Sequence, residues 1–189
     1  MKKLILPIVA LTLITFAGCK SPIALVQGNP EPVKGENFIE VQFTYEDMTV
    51  GKESEADYVK RRIESDGEEW HEKWVNDRSN RFEPRFLETM NRYTEPGGLK
   101  AERGLDNTKY VLIINTYYTE PGFYAAIKNK AAEVSVKATL VERNNPNIPI
   151  AIYDIKTPGI TAVPDIGTRI QSAYGQAGRF LGSRLREFL

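Results

Sequence analysis

Apolar and polar positions begin to alternate at Asn37 and continue to Tyr45. Ile39, Val41, Phe43 and Tyr45 fall on one side, and Phe38, Glu40, Gln42 and Thr44 on the other, the period-two signature of a half-buried strand. Ser54 is suited to cap a helix, and Ala56, Val59 and Ile63 follow at helical spacing before Asp66-Gly67 ends the run. A second helical stretch carries Trp70, Trp74, Asp77 and Arg78. A third, from about Pro84, carries Phe86, Leu87, Met90 and Tyr93, and Pro96-Gly97-Gly98 closes the helical block. Lys109 to Tyr118 is apolar on both faces in its first half and predicts a central strand. Ala131 to Arg143 alternates again, Asn144 to Asn147 reads as a turn, and Ile148 to Lys156 returns as the partner strand of a long hairpin. A last helix, from about Thr168 to Phe188, places Ile170, Ala173, Ala177, Leu181 and Leu185 on one stripe.

This order predicts an α+β fold in two layers. A sheet of about four strands, antiparallel or mixed, would carry helices on one face, with a long C-terminal helix across it. Gly175, Gly178 and Gly182 interrupt that helix, each costing up to about 1 kcal/mol relative to Ala. Close approach of the helix backbone to the sheet would account for them, or a groove for a partner. Arg179, Arg184, Arg186 and Glu187 on the same helix exclude a lipid-buried GxxxG dimer.

Upstream of this domain the pattern changes. Lys2 and Lys3 precede an uncharged run from Leu4 to Phe16, which is too short to span a bilayer and leads to Ala17-Gly18-Cys19. Residues 1–18 therefore read as a secretory signal. Cys19, the only Cys of the chain, resembles the lipidated Cys of a bacterial lipobox, although Phe16 stands where Leu is usual. Residues 19–35, rich in Pro and Gly, read as a flexible tether. Lys20 to Gly35 could reach roughly 50 Å fully stretched and about 22 Å as a coil. Residues 36–189 form the single folded domain. Lys20-Ser21 follows Cys19, with no Asp next to the Cys to suggest inner-membrane retention, and no acidic cluster suggests surface export, so the expected place is the outer membrane, facing the periplasm.

Composition narrows the chemistry. The 189 residues balance 25 Lys+Arg against 25 Asp+Glu, and 41% are apolar, which fits an ordinary globular domain. Removing Lys2 and Lys3 with the signal leaves a net charge of −2, so acyl chains on Cys19, rather than charge, must hold the protein to a bilayer. The neutral balance argues against a nucleic-acid partner. One Cys and one His exclude a disulfide, Cys-based zinc sites and His-pair metal sites. His71-Glu72 starts like a zincin helix, but Val75 stands where the second His belongs. Glu68, Glu69 and Glu72 crowd one helix as a solvated face does, and no nucleophile elbow or phosphate loop is present. The chain reads as a non-enzyme with no cofactor besides the lipid.

Two aromatic groups could bind. Trp70 and Trp74 lie four apart, with Arg78 one turn on; core packing is the commoner use of this spacing, a stacking platform the alternative. Tyr117, Tyr118, Phe123 and Tyr124 gather near Lys128 and Lys130 in what reads as a loop, a composition suited to partner contact as well as to packing.

The Glu120-Pro121-Gly122-Phe123 turn and the closing-helix pairs Ala173-Tyr174, Ala177-Gly178 and Leu181-Gly182 resemble uncharacterised Bacteroidetes lipoproteins. Trp70, Trp74, Asp77 and Arg78 look like part of the same pattern. The layout is more distantly similar to envelope lipoproteins such as LpoB, an activator of a peptidoglycan synthase, and to the N-terminal domain of TolB. The resemblance implies a lipid-anchored envelope protein that binds another envelope protein or a cell-wall component. Glycan or small-molecule binding on an aromatic platform is the alternative, and an envelope hydrolase is a weaker third. Neither the residues nor the resemblance fixes an oligomeric state.

Overall fold

The computed structural model describes residues 21–189 except Ala126 and Ala162. The signal segment and Cys19 lie outside the described residues. The chain begins with β1 (Ile23–Gly28), a 3₁₀ turn (Glu31–Val33) and β2 (Phe38–Thr44). A two-rung hairpin, β3 (Thr49–Val50) and β4 (Glu53–Ser54), leads into α1 (Glu55–Asp66) and α2 (Glu68–Asp77). One π-helical turn (Arg78–Phe82) joins α2 to α3 (Glu83–Thr94). Then come β5 (Lys100–Glu102), β6 (Tyr110–Glu120), β7 (Glu133–Glu142), β8 (Asn145–Pro158) and α4 (Ile166–Arg186).

The strands form one mixed sheet in the order β1-β8-β7-β6-β2-β5, with the β3–β4 hairpin extending beside β6. β2 runs parallel to β5 and β6, as a strand–helices–strand crossover requires, while β6, β7, β8 and β1 are antiparallel. The α+β class holds, with helices against one face, but the sheet has eight strands rather than about four.

The largest departure from the sequence reading lies in the tether. Ile23 to Gly28 pairs with β8 as an edge strand, Ile23 opposite Ile155, and Val33 is fully buried. Gly28 makes this approach possible, because a Cβ there would sit 1.8 Å from the Ile150 carbonyl oxygen. The domain therefore starts about a dozen residues earlier than residue 36. The β7–β8 turn is also tighter than expected, since Glu142 already pairs with Asn145.

The core lies between the sheet and the α3–α4 layer. Phe43 meets Phe86 edge-on at 5.5 Å, and Phe82 stacks on Tyr174 at 5.2 Å. The buried Tyr174 hydroxyl pairs with Thr116 Oγ1 at 2.7 Å, and burial pushes its pKa up to about 12. The glycines of α4 face α3 rather than the sheet. A Cβ on Gly178 would lie 2.1 Å from the Phe86 carbonyl oxygen, and one on Gly182 2.5 Å from that of Met90. The close approach was correctly expected, but its partner is a helix. Among the described residues the other face of the sheet carries no helix, and Ile113, Thr139 and Ile152 stand in a row across it, half-exposed.

Candidate functional site

The tryptophans form packing between helices. Trp74 is buried, and Trp70 stacks on it at 5.5 Å with planes 18° apart. Tyr58 of α1 closes the cluster at 5.3 Å from Trp74 and 5.7 Å from Trp70. Trp74 Nε1 donates to Glu55 Oε1 at 2.7 Å, and Arg78 pairs with the same carboxylate while lying 4.0 Å over the Tyr45 ring. Tyr45 in turn donates to Glu83, which also takes Arg103, and burial raises the Tyr45 pKa far above the ordinary phenol value. These groups are partners of one another. Trp70 is half-buried beside a cleft of about 220 Å³, shared with Lys73, Asp77 and Asp165, with Arg62 stacked 4.7 Å over the indole. A broad stacking platform made of both rings is absent.

Around the π-helical turn the acids are also engaged. Asp165 caps α4 through Thr168 N at 2.7 Å and accepts from Arg81 and Lys73. Burial alone would raise its pKa, yet the hydrogen bonds from Thr168, Arg81 and Lys73 hold it well below the ordinary carboxylate range. Asp77 moves the other way, because burial outweighs its contact with Arg81.

The stretch from Tyr117 to Lys130 divides in two. Tyr117 and Tyr118 belong to β6, not to a loop, because a bulge between Thr116 and Tyr118 lets the strand continue to Glu120. The Tyr117 hydroxyl donates to Asp154 at 2.6 Å, and burial followed by that bond pushes its pKa up to about 12. Phe123, Tyr124 and Lys128 do lie in the β6–β7 loop and are exposed, together with Ile127, whose side chain is fully open to solvent. The base of the loop is stiff. Phe123 and Lys130 exchange backbone hydrogen bonds at 3.1 and 2.9 Å, and Glu120 accepts from both Gly122 N and Lys130 Nζ. The buried Arg169 of α4 donates to the carbonyls of Pro121, Gly122, Val163 and Pro164. It ties this loop to the segment leading into α4.

At the opposite end of the sheet lies a wider cleft of about 710 Å³, lined by Glu36, Asn37, Phe38, Asp106, Asn107 and Lys109 among others. Phe38 is 49% exposed, as expected for the outward side of its strand, and presents a ring at the lip. The loop forming one wall is fixed from below by Glu40, which accepts from Gly104 N and Leu105 N. Arg143 fixes it from the side, through the carbonyls of Leu105 and Thr108 and the Thr108 hydroxyl. Sequence reading did not single out this cleft, Glu40, Arg143 or Arg169; the one available signal was Phe38, an aromatic on the polar side of an alternating strand. Among the described residues no His/Cys/Asp/Glu cluster has the grouping of a metal site, and no helix is long and apolar enough to cross a membrane.

No family model matches the chain, and no curated protein is significantly similar to it. Among solved structures, it is similar to the PelC dodecamer from Paraburkholderia phytofirmans at 12% identity and TM-score 0.46, covering 87% of this chain and 96% of that one. It is also similar to a neuraminyllactose-binding hemagglutinin homolog from Helicobacter pylori at 15% identity and TM-score 0.41, covering 87% and 88%. At such values the likeness is one of general layout.

Proposed function

We propose that this chain is a lipid-anchored protein of the bacterial cell envelope, of the Bacteroidetes lipoprotein type, held to the outer membrane through Cys19 and facing the periplasm. It binds a cell-wall component and performs no chemistry of its own. The observation that carries this reading is the opposition of the two ends of the sheet. The chain enters beside Lys156 near the end of β8, whereas the 710 Å³ cleft opens where β2 and β6 begin. The eleven residues of β6 span about 35 Å between them. An anchored domain of this form presents this recess away from the bilayer.

The lining suits a glycan or its peptide stems: an exposed ring for a sugar face, carboxamides of Asn37 and Asn107 for hydroxyls, and carboxylates of Glu36 and Asp106 for ammonium groups. The acids at the helix junctions, by contrast, are held by Arg, Lys, Tyr or Trp partners, an arrangement that serves packing rather than proton transfer. Co-sedimentation with purified peptidoglycan sacculi tests the reading. Binding should weaken several-fold in Phe38→Ala and Asn107→Ala, with unchanged melting temperature. Binding that ignores both substitutions, or no binding at all, would refute the cleft as the recognition site. For the anchor, Cys19→Ser should leave the precursor unprocessed, and mass spectrometry of the wild-type N-terminus should show acylation.

A further inference from the structure

We propose that the β6–β7 loop is a second membrane contact, with its apolar tip seated in the headgroup layer of the bilayer that holds Cys19. The proposal rests on the anchor reading above. Its basis is how little chain separates the anchor from the sheet. Lys156 N donates to the carbonyl of Pro22 at 2.8 Å, so Pro22 is already docked on β8. Only Lys20 and Ser21 lie between Cys19 and Pro22, three Cα–Cα steps with a reach of at most about 11 Å in any conformation. Beyond Lys156, β8 runs on for two more residues to Pro158, about 7 Å, and Pro158 pairs with Glu133 at the last rung of the ladder. The lead to Cys19 thus exceeds the remaining length of β8 by no more than about 4 Å.

The β6–β7 loop starts where that rung ends. Glu120 pairs with Glu133, and the Phe123–Lys130 bridge continues the antiparallel pairing past that rung, with Ile127 in the turn it encloses. An acylated Cys19 at this level puts the lipid surface within reach of the loop. The residues there have the composition of an interfacial anchor. Ile127 is 100% exposed, Tyr124 50% and Phe123 40%, while Ile160 of the neighbouring loop is 43% exposed. Aromatic rings with a polar edge settle at headgroup depth, and the exposed Lys128 flanks the tip where lipid phosphates would lie. The stiff base set by Arg169, Glu120 and the Phe123–Lys130 bonds keeps these side chains out of the core and aimed outward. Three exposed apolar or aromatic side chains within five positions of one loop offer a contact surface. Proximity to the anchor identifies the bilayer, rather than a protein, as the surface it meets.

The test uses the full lipidated chain in vesicles of phosphatidylethanolamine and phosphatidylglycerol. A nitroxide is placed at Ile127→Cys or, as a control at the far end of β8, at Ile148→Cys. Both positions are exposed, so neither change touches the core. Mass spectrometry of the reconstituted protein first establishes acylation of Cys19. The ratio of collisions with oxygen to collisions with a water-soluble nickel chelate should then be several-fold higher at 127 than at 148. Equal ratios on an acylated protein overturn the loop contact and leave the anchor standing. An unmodified Cys19 with no vesicle binding removes both. A label at 127 shielded from both reagents in intact envelopes would mean that a protein covers the loop, which also overturns the proposal.

Discussion

Gly175 and Gly178 occupy one helix, three residues apart, and the structure predicts opposite outcomes when each becomes Ala. In a helix interior the exchange gains up to about 1 kcal/mol from propensity alone. At Gly175 the new Cβ would meet Arg85 Nε at 3.0 Å and its Cγ at 3.2 Å, part of a flexible side chain that can swing aside. Gly175→Ala should be neutral or stabilising by a few tenths of a kcal/mol, up to about 1. At Gly178 the obstacle is backbone: the Phe86 carbonyl oxygen at 2.1 Å and its carbon at 2.9 Å, with Thr89 Oγ1 at 2.6 Å. Even close C–H···O contacts sit near about 3.3 Å, so α3 and α4 would have to part by about 1.2 Å. Thr89 Oγ1 already shares its one proton between the carbonyls of Arg85 and Phe86, so the crossing point has little slack. Overpacking of this kind costs about 1–3 kcal/mol, which exceeds the propensity gain. Gly178→Ala should therefore destabilise by about 1–2 kcal/mol, and Gly178→Leu by more. Urea unfolding of the three proteins side by side reads the difference. If Gly178→Ala proves as stable as Gly175→Ala, the helices do not cross as closely as described.

Three further outcomes follow from the same contacts. Trp74→Ala should cost about 3–5 kcal/mol, and Trp70→Ala clearly less because that ring is only half-buried; equal losses by chemical denaturation would contradict the packing. Arg169→Met should lower stability by about 3 kcal/mol, since it orphans the carbonyls of Pro121, Gly122, Val163 and Pro164, and hydrogen exchange should rise first at the base of the β6–β7 loop; uniform exchange would speak against that role. Asp165 has a folded-state pKa below its unfolded one, so its contribution is present above about pH 4 and disappears as pH falls through the folded value. Melting temperatures of Asp165→Asn and wild type should thus differ at about pH 7 and converge towards about pH 2; a gap that widens on acidification would refute the assignment.

The parts of the fold that were legible in the sequence are those where burial imposes a period. β2, the β7–β8 hairpin and α4 each bury one face, and their residues alternate or recur accordingly. β1 escaped because Ile23 to Val26 is an unbroken apolar run between prolines, and an edge strand takes its register from the ladder beside it. The three glycines announced a close approach but not its partner, since missing side chains mark a bare surface without saying what lies on it. Arg169 sits beside the apolar stripe of α4, where an Arg ordinarily snorkels to water; only the tertiary structure turns four loop carbonyls towards it. The strand reading through Tyr118 holds for Tyr117 and Tyr118, and their grouping with the loop aromatics does not. The bulge after Thr116 keeps Tyr117 and Tyr118 in the sheet and leaves Phe123 and Tyr124 outside it.

The short lead between Cys19 and Pro22 also governs how the domain stands on the membrane. If that length presses the β6–β7 loop onto the bilayer, lengthening it should release the loop without harming either end of the molecule. An insertion of ten Gly/Ser residues between Lys20 and Ser21 adds a coil of about 18 Å, several times the roughly 4 Å of present overhang. Acylation of Cys19 should persist, because the lipobox side of the junction is untouched. Sacculus binding should persist as well, because the cleft lies about 35 Å away and gains height above the bilayer. The collision ratio at a nitroxide on position 127 should fall towards that at 148, since the loop would spend most of its time in water. A ratio that stays high despite the insertion would show that the loop holds the bilayer by its own affinity. The apolar tip would then be a stronger anchor than its exposed area suggests, and the short lead would not be what sets the orientation.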